Sequence, residues 1–267
     1  MRLCSIFFTV ALAAALAIPA AAETWNTPTI DGVVSVGLDD WDADDWAIDD
    51  PDNDCRYPDS DPDMDDLYVT WDADSLYVGI ITADPPGGFG NGYVLWIDID
   101  FQDGITGATD FSNADFYARN VTFNGAGMDV VLGAWNLEGP LFKGCVDPTA
   151  TTDMPGARAA SDTAARHIEG AISWVGLYGP QPETVPEGTT LKFVAAIVGG
   201  DGSGAYDAMP TTMSGVEQDD ATPFNETIDL DVFYTAIVDG DLDGIPDQGY
   251  SLVEPVTWTR IKAMFDE

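Results

Sequence analysis

The stretch "VDGDLDGIPD", residues 238–247, carries oxygen ligands at a spacing typical of calcium-binding loops. Calcium takes about six to eight oxygen ligands, often from carboxylates on alternate residues around a sharp glycine turn. The aspartates at loop positions one, three, five and nine are Asp239, Asp241, Asp243 and Asp247. Gly244 at position six permits the turn, and the carbonyl of Ile245 at position seven offers a further ligand. We therefore predict a calcium site here, with a solvated acidic turn as the alternative.

The same loop departs from the EF-hand pattern. An EF-hand has a bidentate glutamate at position twelve, whereas this chain has Tyr250 there. The residues before the loop have strand rather than helix character. The spacing is similar to the DxDxDGxxD calcium loops of thrombospondin type 3 and dockerin-like repeats, but it occurs here as a single copy. We interpret the loop as a calcium clip that holds residues 248–267 on the domain.

A second acidic set lies in the aspartate-rich region of residues 39–66. Its stretch "DSDPDMDD" places carboxylates on alternate residues: Asp59, Asp61, Asp63 and Asp65. The alternation suits hard-cation ligation, but glycine is missing and prolines intervene. A second calcium site and a solvated acidic loop both remain open for this set.

Catalytic groups are poorly represented. His167 is the single histidine, and neither a CxxC nor an HExxH motif occurs. A carboxylate pair can hydrolyse glycosides, but no pair is distinguished among the 47 acidic residues. We expect a protein that is not an enzyme, with glycoside hydrolysis as the least favoured alternative.

Tryptophans beside loops are the candidate ligand-binding residues. Trp41, Trp46 and Trp135 lie on or next to predicted loops and could stack on a sugar ring. Trp71, Trp96 and Trp174 lie on predicted strands, where a buried structural role is favoured.

The charge balance narrows the classes of partner. The chain has 47 acidic and 9 basic residues, and a formal net charge of −38. Nucleic-acid binding relies on Lys and Arg to neutralise phosphates, so we expect no nucleic-acid partner. An anionic membrane surface is disfavoured for the same reason. Adaptation to high salt is an alternative cause of this acidity.

The first 22 residues resemble a secretory signal peptide. A positive residue is followed by an apolar stretch and by small residues before Glu23. No later stretch is long and apolar enough to span a bilayer, so we expect no membrane insertion and a secreted or periplasmic protein. An oxidising compartment favours a disulfide between Cys55 and Cys145, with two unpaired thiols as the alternative.

Strand patterns and turn signals predict an all-β fold, an antiparallel β-sandwich with long acidic loops. The clearest hairpin is "DLYVTWDADSLYVGIITA", and "GYVLWIDIDF" is a further strand. Other predicted strands span residues 25–34, 119–123, 128–135, 168–174, 191–198 and 227–238. Residues 159–166 predict a helical turn, and residues 257–265 a short helix. We predict a sandwich domain over residues 23–238, followed by the calcium loop and tail over residues 239–267.

The chain resembles a known family through "TIDGVV", "DDLYVTWDADSLYVGI", "YVLWIDID" and "HIEGAISWVGLYG". These motifs are similar to family-9 carbohydrate-binding modules and to the related C-terminal domain of glucodextranase, within the DOMON-like superfamily. The resemblance implies a β-sandwich, structural calcium and sugar recognition between aromatic residues. We expect a calcium-stabilised module that binds carbohydrate. The alternative is an extracellular or cell-envelope structural protein without a sugar ligand.

Overall fold

Two antiparallel β-sheets pack face to face and enclose the main core. The computed structural model describes residues 26–37, 40–51, 63–83, 90–99, 107–145, 149–180, 184–210 and 225–247. The smaller sheet contains, in spatial order, β1 (Trp46–Asp49), β2 (Met64–Trp71), β3 (Ser75–Thr82), β10 (His167–Ser173) and β9 (Arg158–Asp162). The larger sheet contains, in spatial order, β12 (Ala205–Met209), β11 (Thr190–Val198), β4 (Gly92–Asp98), β6 (Val130–Trp135), β7 (Glu138–Gly144) and β8 (Thr152–Asp153), while β14 (Tyr234–Ile237) also pairs with β11. The predicted antiparallel β-sandwich is confirmed.

The predicted hairpin is the β2–β3 pair. Its register places Trp71 opposite Leu76, and the four residues 72–75 connect them. The Asp72 carboxylate accepts the backbone N–H groups of Asp74 and Ser75, each at 2.8 Å. An aspartate that accepts from the next residues is a local signal for a tight turn, which is why the sequence located this hairpin correctly.

Strand β4 is buried on both faces. Tyr93, Leu95 and Ile97 face the core between the sheets, as their alternation predicts. Val94 and Trp96 belong to a second core on the outer face of the larger sheet. This outer core is covered by residues 107–126 and by a two-stranded parallel sheet of β5 (Val121–Phe123) and β13 (Ile228–Leu230). Burial on both faces explains the nearly continuous apolar run of this strand.

Three predicted elements are wrong in type or extent. The predicted helical turn at residues 159–166 is confined to residues 163–166, where the N–H of Arg166 donates to the carbonyl of Asp162 at 2.7 Å, because residues 159–162 pair with β10 as part of β9. The predicted strand 227–238 is divided, because β13 pairs with β5 and β14 pairs with β11. Residues 25–34 were predicted as a strand, but their described part forms none, and the nearest bridge joins Val36 to Trp41.

Strand β12 lies in a segment whose glycines predict a connection. All of its residues are buried, including Asp207. The Asp207 carboxylate accepts the backbone N–H of Met64 at 2.6 Å, so this charged group ties β12 to the other sheet. A strand with aspartate near its centre contradicts strand propensity. The carboxylate is satisfied here by this long-range hydrogen bond and by the N–H of Ala208, which donates to it at 2.9 Å.

Helices are short. A 3-10 helix spans Ala43–Asp45, and α1 spans Trp174–Tyr178, where Ser173 caps it by accepting the N–H of Gly176. Within the described ranges, no helix has the length and apolar character needed to cross a membrane. The predicted helix at residues 257–265 lies outside the described residues.

Cys145 is a free, fully buried thiol in the outer core. Its Sγ donates to the carbonyl of Met128 at 3.2 Å. Burial, together with the nearby Asp129 carboxylate, raises the pKa of Cys145 far above the ordinary thiol value. The predicted disulfide is therefore absent, because Cys145 is enclosed by apolar side chains, and its expected partner Cys55 lies outside the described residues.

The N-terminal segment, residues 26–37 and 40–41, covers the outer face of the smaller sheet. Val34 and Trp41 pack there against Tyr68 and Tyr77. Close approach requires Gly79 in β3, since a Cβ at that position would lie 2.9 Å from Val34 and 3.1 Å from Trp41. This packing makes the segment part of the folded domain.

Glu169 of β10 binds the N-terminal segment to the smaller sheet. Its side chain is fully buried and accepts the indole N–H of Trp41 at 2.6 Å. It also accepts the backbone N–H groups of Asp31 and Gly32 at 3.0 and 2.6 Å. Next to it, Nδ1 of His167 accepts the N–H of Val34 at 3.0 Å.

The His167 contact predicts a pH-dependent stability. Burial lowers the pKa of His167, and the nearby Asp162 charge offsets this only in part. The unfolded pKa is about 6.5. The contribution of the neutral imidazole to the free energy of unfolding is therefore complete above about pH 6.5. It is lost as the pH falls through the lower pKa of the folded state. NMR titration of this single imidazole should give a pKa below about 6.5.

The His167→Asn variant is the control, because its amide oxygen can accept from Val34 without titrating. When the pH is lowered from 7.5 to 5.5, urea unfolding should show a larger loss of unfolding free energy for the natural protein than for His167→Asn. An imidazole pKa at or above the unfolded value contradicts the prediction.

Candidate functional site

The acidic loop, residues 239–247, is organised around the carboxylate of Asp239. This side chain is fully buried. Oδ1 accepts the N–H groups of Leu242 and Asp243 at 2.9 and 3.2 Å, and Oδ2 accepts those of Gly188 and Gly244 at 2.7 and 2.9 Å. Burial alone would raise the pKa of Asp239, but these four donors outweigh it and hold the pKa below the usual value.

The turn of the acidic loop needs left-handed backbone at two positions. Leu242 has φ 67° and Gly244 has φ 75°. Glycine adopts this conformation without steric cost, and it lets the N–H of Gly244 reach Asp239. The Asp247 carboxylate closes the loop by accepting the N–H of Gly240 at 2.5 Å.

The acidic loop is docked on the sandwich. The indole N–H of Trp71 donates to the carbonyl of Asp247 at 2.7 Å. The N–H of Val185 donates to the carbonyl of Gly244 at 3.1 Å. The loop thus contacts β2 and the residues before β11, so its shape is coupled to the core.

Three carboxylates of the loop converge. One oxygen each from Asp239, Asp241 and Asp247 lies within 4.8 Å of the other two. Oxygens bound to calcium at about 2.3–2.6 Å can be at most about 5 Å apart, so this set fits one such ion. Desolvation and the charges of Asp243 and Asp247 raise the pKa of Asp241. A cation would relieve this repulsion.

The other predicted ligands of the loop are placed differently. Asp243 is exposed, and its Oδ1 accepts the N–H of Ile245 at 2.8 Å instead of joining the three converging carboxylates. The Ile245 carbonyl as a ligand stays a prediction. The donor set is therefore three carboxylates, with the remaining ligands to come from backbone carbonyls or water.

The second predicted acidic set is described only in part. Asp59 and Asp61 lie outside the described residues. Asp63 is buried and Asp65 lies in β2, where its carbonyl accepts the N–H of Asp50 at 2.7 Å. Of the residues that the structure describes, the acidic loop alone brings three metal-type ligands together.

The three candidate tryptophans lie in different environments. Trp41 is fully buried and has edge contact with Tyr68, so its predicted role as a sugar platform is wrong. The N-terminal segment folds over the sheet and encloses its ring. Trp46 is 47% exposed on β1, and its indole N–H donates to Asp66 at 2.5 Å.

Trp135 stands at the end of β6, with 41% of its surface exposed. Strand alternation places Ala134 in the core between the sheets and Trp135 on the outer face of the larger sheet. There it borders a solvent-open depression of about 380 Å³, here called the aromatic cleft. The side chains that line the cleft are Trp135, Tyr117, Phe116, Arg119, Asp115 and Asp201.

Tyr117 is seated on two glycines of the larger sheet. A Cβ at Gly133 would lie 2.3 Å from the Tyr117 ring, and one at Gly92 would lie 2.8 Å away. Tyr117 itself has φ 53°, an unusual value for a residue other than glycine. Burial raises the pKa of Tyr117 to about 12, with a smaller opposite effect from Arg119, so the phenol stays neutral. Phe116 packs edge-on against the Tyr117 ring, with 4.8 Å between the two ring centres.

Arg119 joins two loops at the bottom of the aromatic cleft. It is 2% exposed, and its guanidinium lies 5.1 Å from the centre of the Tyr117 ring. Nη1 donates to the carbonyl of Ala118 and to the carboxylate of Asp201, each at 2.8 Å. The backbone of Gly202 donates to Ala118 at 3.0 Å, which holds Asp201 beside the guanidinium.

Sequence reasoning identified Trp135 and missed the rest of the cleft. The missed residues come from segments 115–119 and 200–201, which are far from Trp135 along the chain. The positive φ of Tyr117 and the glycines beneath it have no local sequence signature. His167 has a structural role, as the simpler interpretation of a single histidine suggests.

Asp239 should stabilise the protein even without metal. Asp239→Asn replaces one acceptor oxygen by a donor amide that faces backbone N–H groups, so we expect a loss of at least about 2 kcal/mol. Urea unfolding in the presence of chelator measures this loss. The control is Asp243→Asn, which keeps the acceptor for Ile245 and should change stability by less than about 0.5 kcal/mol. Equal effects of the two variants would show that the four hydrogen bonds on Asp239 are not decisive.

Comparison with known proteins leaves the chain without a family assignment. No protein-family model matches it, and no curated protein matches it either. The functional interpretation therefore depends on the acidic loop and the aromatic cleft.

Proposed function

We propose that this protein is a secreted, calcium-stabilised, non-catalytic module that binds carbohydrate in the aromatic cleft. The observation that carries the proposal is the exposed ring of Trp135 beside Tyr117, in an open depression with polar groups at its edge. An aromatic face next to hydrogen-bonding groups matches a sugar ring, which has an apolar face and a polar rim. The resemblance to carbohydrate-binding modules supports the same ligand class.

The polar groups of the cleft suit sugar hydroxyls. The carboxylates of Asp115 and Asp201 accept hydrogen bonds, and the Arg119 guanidinium donates them. Both carboxylates belong to exposed residues, whereas Arg119 is held rigidly beneath them. A rigid aromatic platform with a few fixed polar groups orients a ligand at low entropic cost.

The non-catalytic part of the proposal is supported by the state of the single histidine. His167 accepts a backbone N–H and lies on β10 of the smaller sheet, while the cleft lies on the outer face of the larger sheet. Secretion is supported by the N-terminal sequence pattern. The second candidate function is an extracellular structural protein, and it becomes the better interpretation if the cleft binds no glycan.

Calcium is proposed as the ion of the acidic loop. The support is the convergence of Asp239, Asp241 and Asp247, whose charges have no lysine or arginine partner among the described contacts of the loop. Oxygen-only ligands favour a hard cation over zinc. By neutralising the loop, the ion would stabilise its docking on Trp71.

Calcium should raise the thermal midpoint of the protein. An ion that binds only the native state adds about 2.7 kcal/mol at a hundredfold excess over its Kd, and so we expect a rise of several degrees relative to chelator. Asp241→Asn should remove most of this rise. The control Asp44→Asn, which removes an exposed carboxylate of the 3-10 helix, should keep it. Scans at matched ionic strength exclude general screening, and an unchanged midpoint would contradict structural calcium.

Trp135 should carry most of the glycan affinity. Trp135→Ala removes the platform, and we expect at least about a tenfold loss, equal to about 1.4 kcal/mol. Binding is found first on a glycan array and then measured by calorimetry with the best ligand. Trp46→Ala is a matched control, because Trp46 is similarly exposed but lies on the smaller sheet. Equal binding by the natural protein and Trp135→Ala would exclude the cleft.

A further inference from the structure

Arg119 is the cationic side chain among the residues that line the aromatic cleft, and it is already paired with a carboxylate. Arg119 pairs with Asp201 at 2.8 Å, and Asp115 adds a second carboxylate to the rim. The side chain of Arg119 is 3% exposed, whereas that of Asp201 is 88% exposed. A ligand that approaches from solvent therefore meets the carboxylates before the guanidinium.

A second cation near the cleft, Lys143, does not make the cleft more attractive to anions. Lys143 lies 6.0 Å from the centre of the Phe116 ring, but its Nζ pairs with Asp153 at 2.5 Å. Asp115 is held in place by the N–H of Thr151, which its two oxygens accept at 3.2 and 3.1 Å. The formal net charge of −38 adds a repulsive field for any anion.

One N–H group of Arg119 is left without an acceptor. Its Nε is buried and has no hydrogen-bond partner. An unsatisfied buried donor is costly, so an acceptor oxygen that reaches it is favoured. Nη1 is already committed to Asp201 and Ala118, and a ligand carboxylate near the guanidinium would lie beside the charged carboxylate of Asp201.

We propose that the aromatic cleft selects uncharged sugar residues and rejects uronic acid residues, and that Asp201 determines this specificity. A hydroxyl oxygen of the sugar accepts from Arg119, and its hydroxyl groups donate to Asp115 and Asp201. Asp201 excludes anionic sugars because it pairs with Nη1 of the guanidinium and presents its own charge to solvent. This inference rests on the proposed carbohydrate function.

The test compares matched neutral and acidic oligosaccharides. Calorimetry measures hexasaccharides of galactose and mannose against oligogalacturonate and oligomannuronate, at a fixed free calcium concentration because uronates chelate calcium. The natural protein should bind the neutral member of a pair at least about tenfold more tightly, since like charges at an interface are repelled. Added salt should narrow the difference, because it screens that repulsion.

The decisive variant is Asp201→Asn, whose amide oxygen can still accept from Arg119. It should bind the oligouronates at least about tenfold more tightly than the natural protein does, because the substitution removes the negative charge that faces the ligand and leaves the charge of Arg119 without its carboxylate partner. Asp44→Asn is the matched control, since it makes the same change in net charge on an exposed residue of the 3-10 helix that precedes β1 of the smaller sheet. It should leave the discrimination unchanged.

The outcomes separate this inference from the proposed function. If the natural protein binds oligouronates as tightly as neutral sugars, the proposed specificity is wrong, but the proposed carbohydrate binding is still supported. An unchanged discrimination in Asp201→Asn, or an equal gain in Asp44→Asn, overturns the role of Asp201. Binding of neither class by the natural protein overturns both proposals. The salt dependence uses the natural protein alone, so it tests the charge argument even if Asp201→Asn folds poorly.

Discussion

Buried carboxylates that accept N–H groups hold this fold together. With 47 acidic and 9 basic residues, most carboxylates cannot find a cation, and a buried carboxylate must be hydrogen-bonded to be tolerated. Glu169 accepts three N–H groups and Asp239 accepts four. Each of them holds a segment without regular structure on the sandwich: Glu169 binds the N-terminal segment, and Asp239 organises the acidic loop.

The position of the aromatic cleft follows from the covering of the larger sheet. Residues 107–126 bury the outer face over Val94 and Trp96. Within this cover, Tyr117 packs on Gly92 and Gly133, and Trp135 lies beside it in the cleft with an exposed ring. The cleft therefore forms where an apolar cover gives way to solvent. Its polar groups come from loops that bind each other through backbone hydrogen bonds, so its geometry is fixed by the same contacts that fold the domain.

The sequence predicted well those features that depend on neighbouring residues. Alternation located β2, β3 and β4, because the side chains on one face of a strand recur at every second residue. It failed for β12, where Asp207 is satisfied by Met64 of the opposite sheet, and for β9, whose backbone is satisfied by β10. Trp41 was misjudged for a related reason: the acidic residues around it indicate a solvated loop, but Glu169, far along the chain, binds its indole.

The sequence by itself determined the β-sandwich class and the local shape of the acidic loop. The class follows from alternation along each strand, and the loop shape follows from hydrogen bonds within a few residues, such as those from Leu242, Asp243 and Gly244 to Asp239. Only the tertiary structure decided which tryptophan is exposed and which groups surround it. The cleft combines residues 115–119, 135 and 200–201, and solvent exposure depends on what packs above a side chain. No local pattern encodes such packing, because it is set by the way distant segments fold over the two sheets.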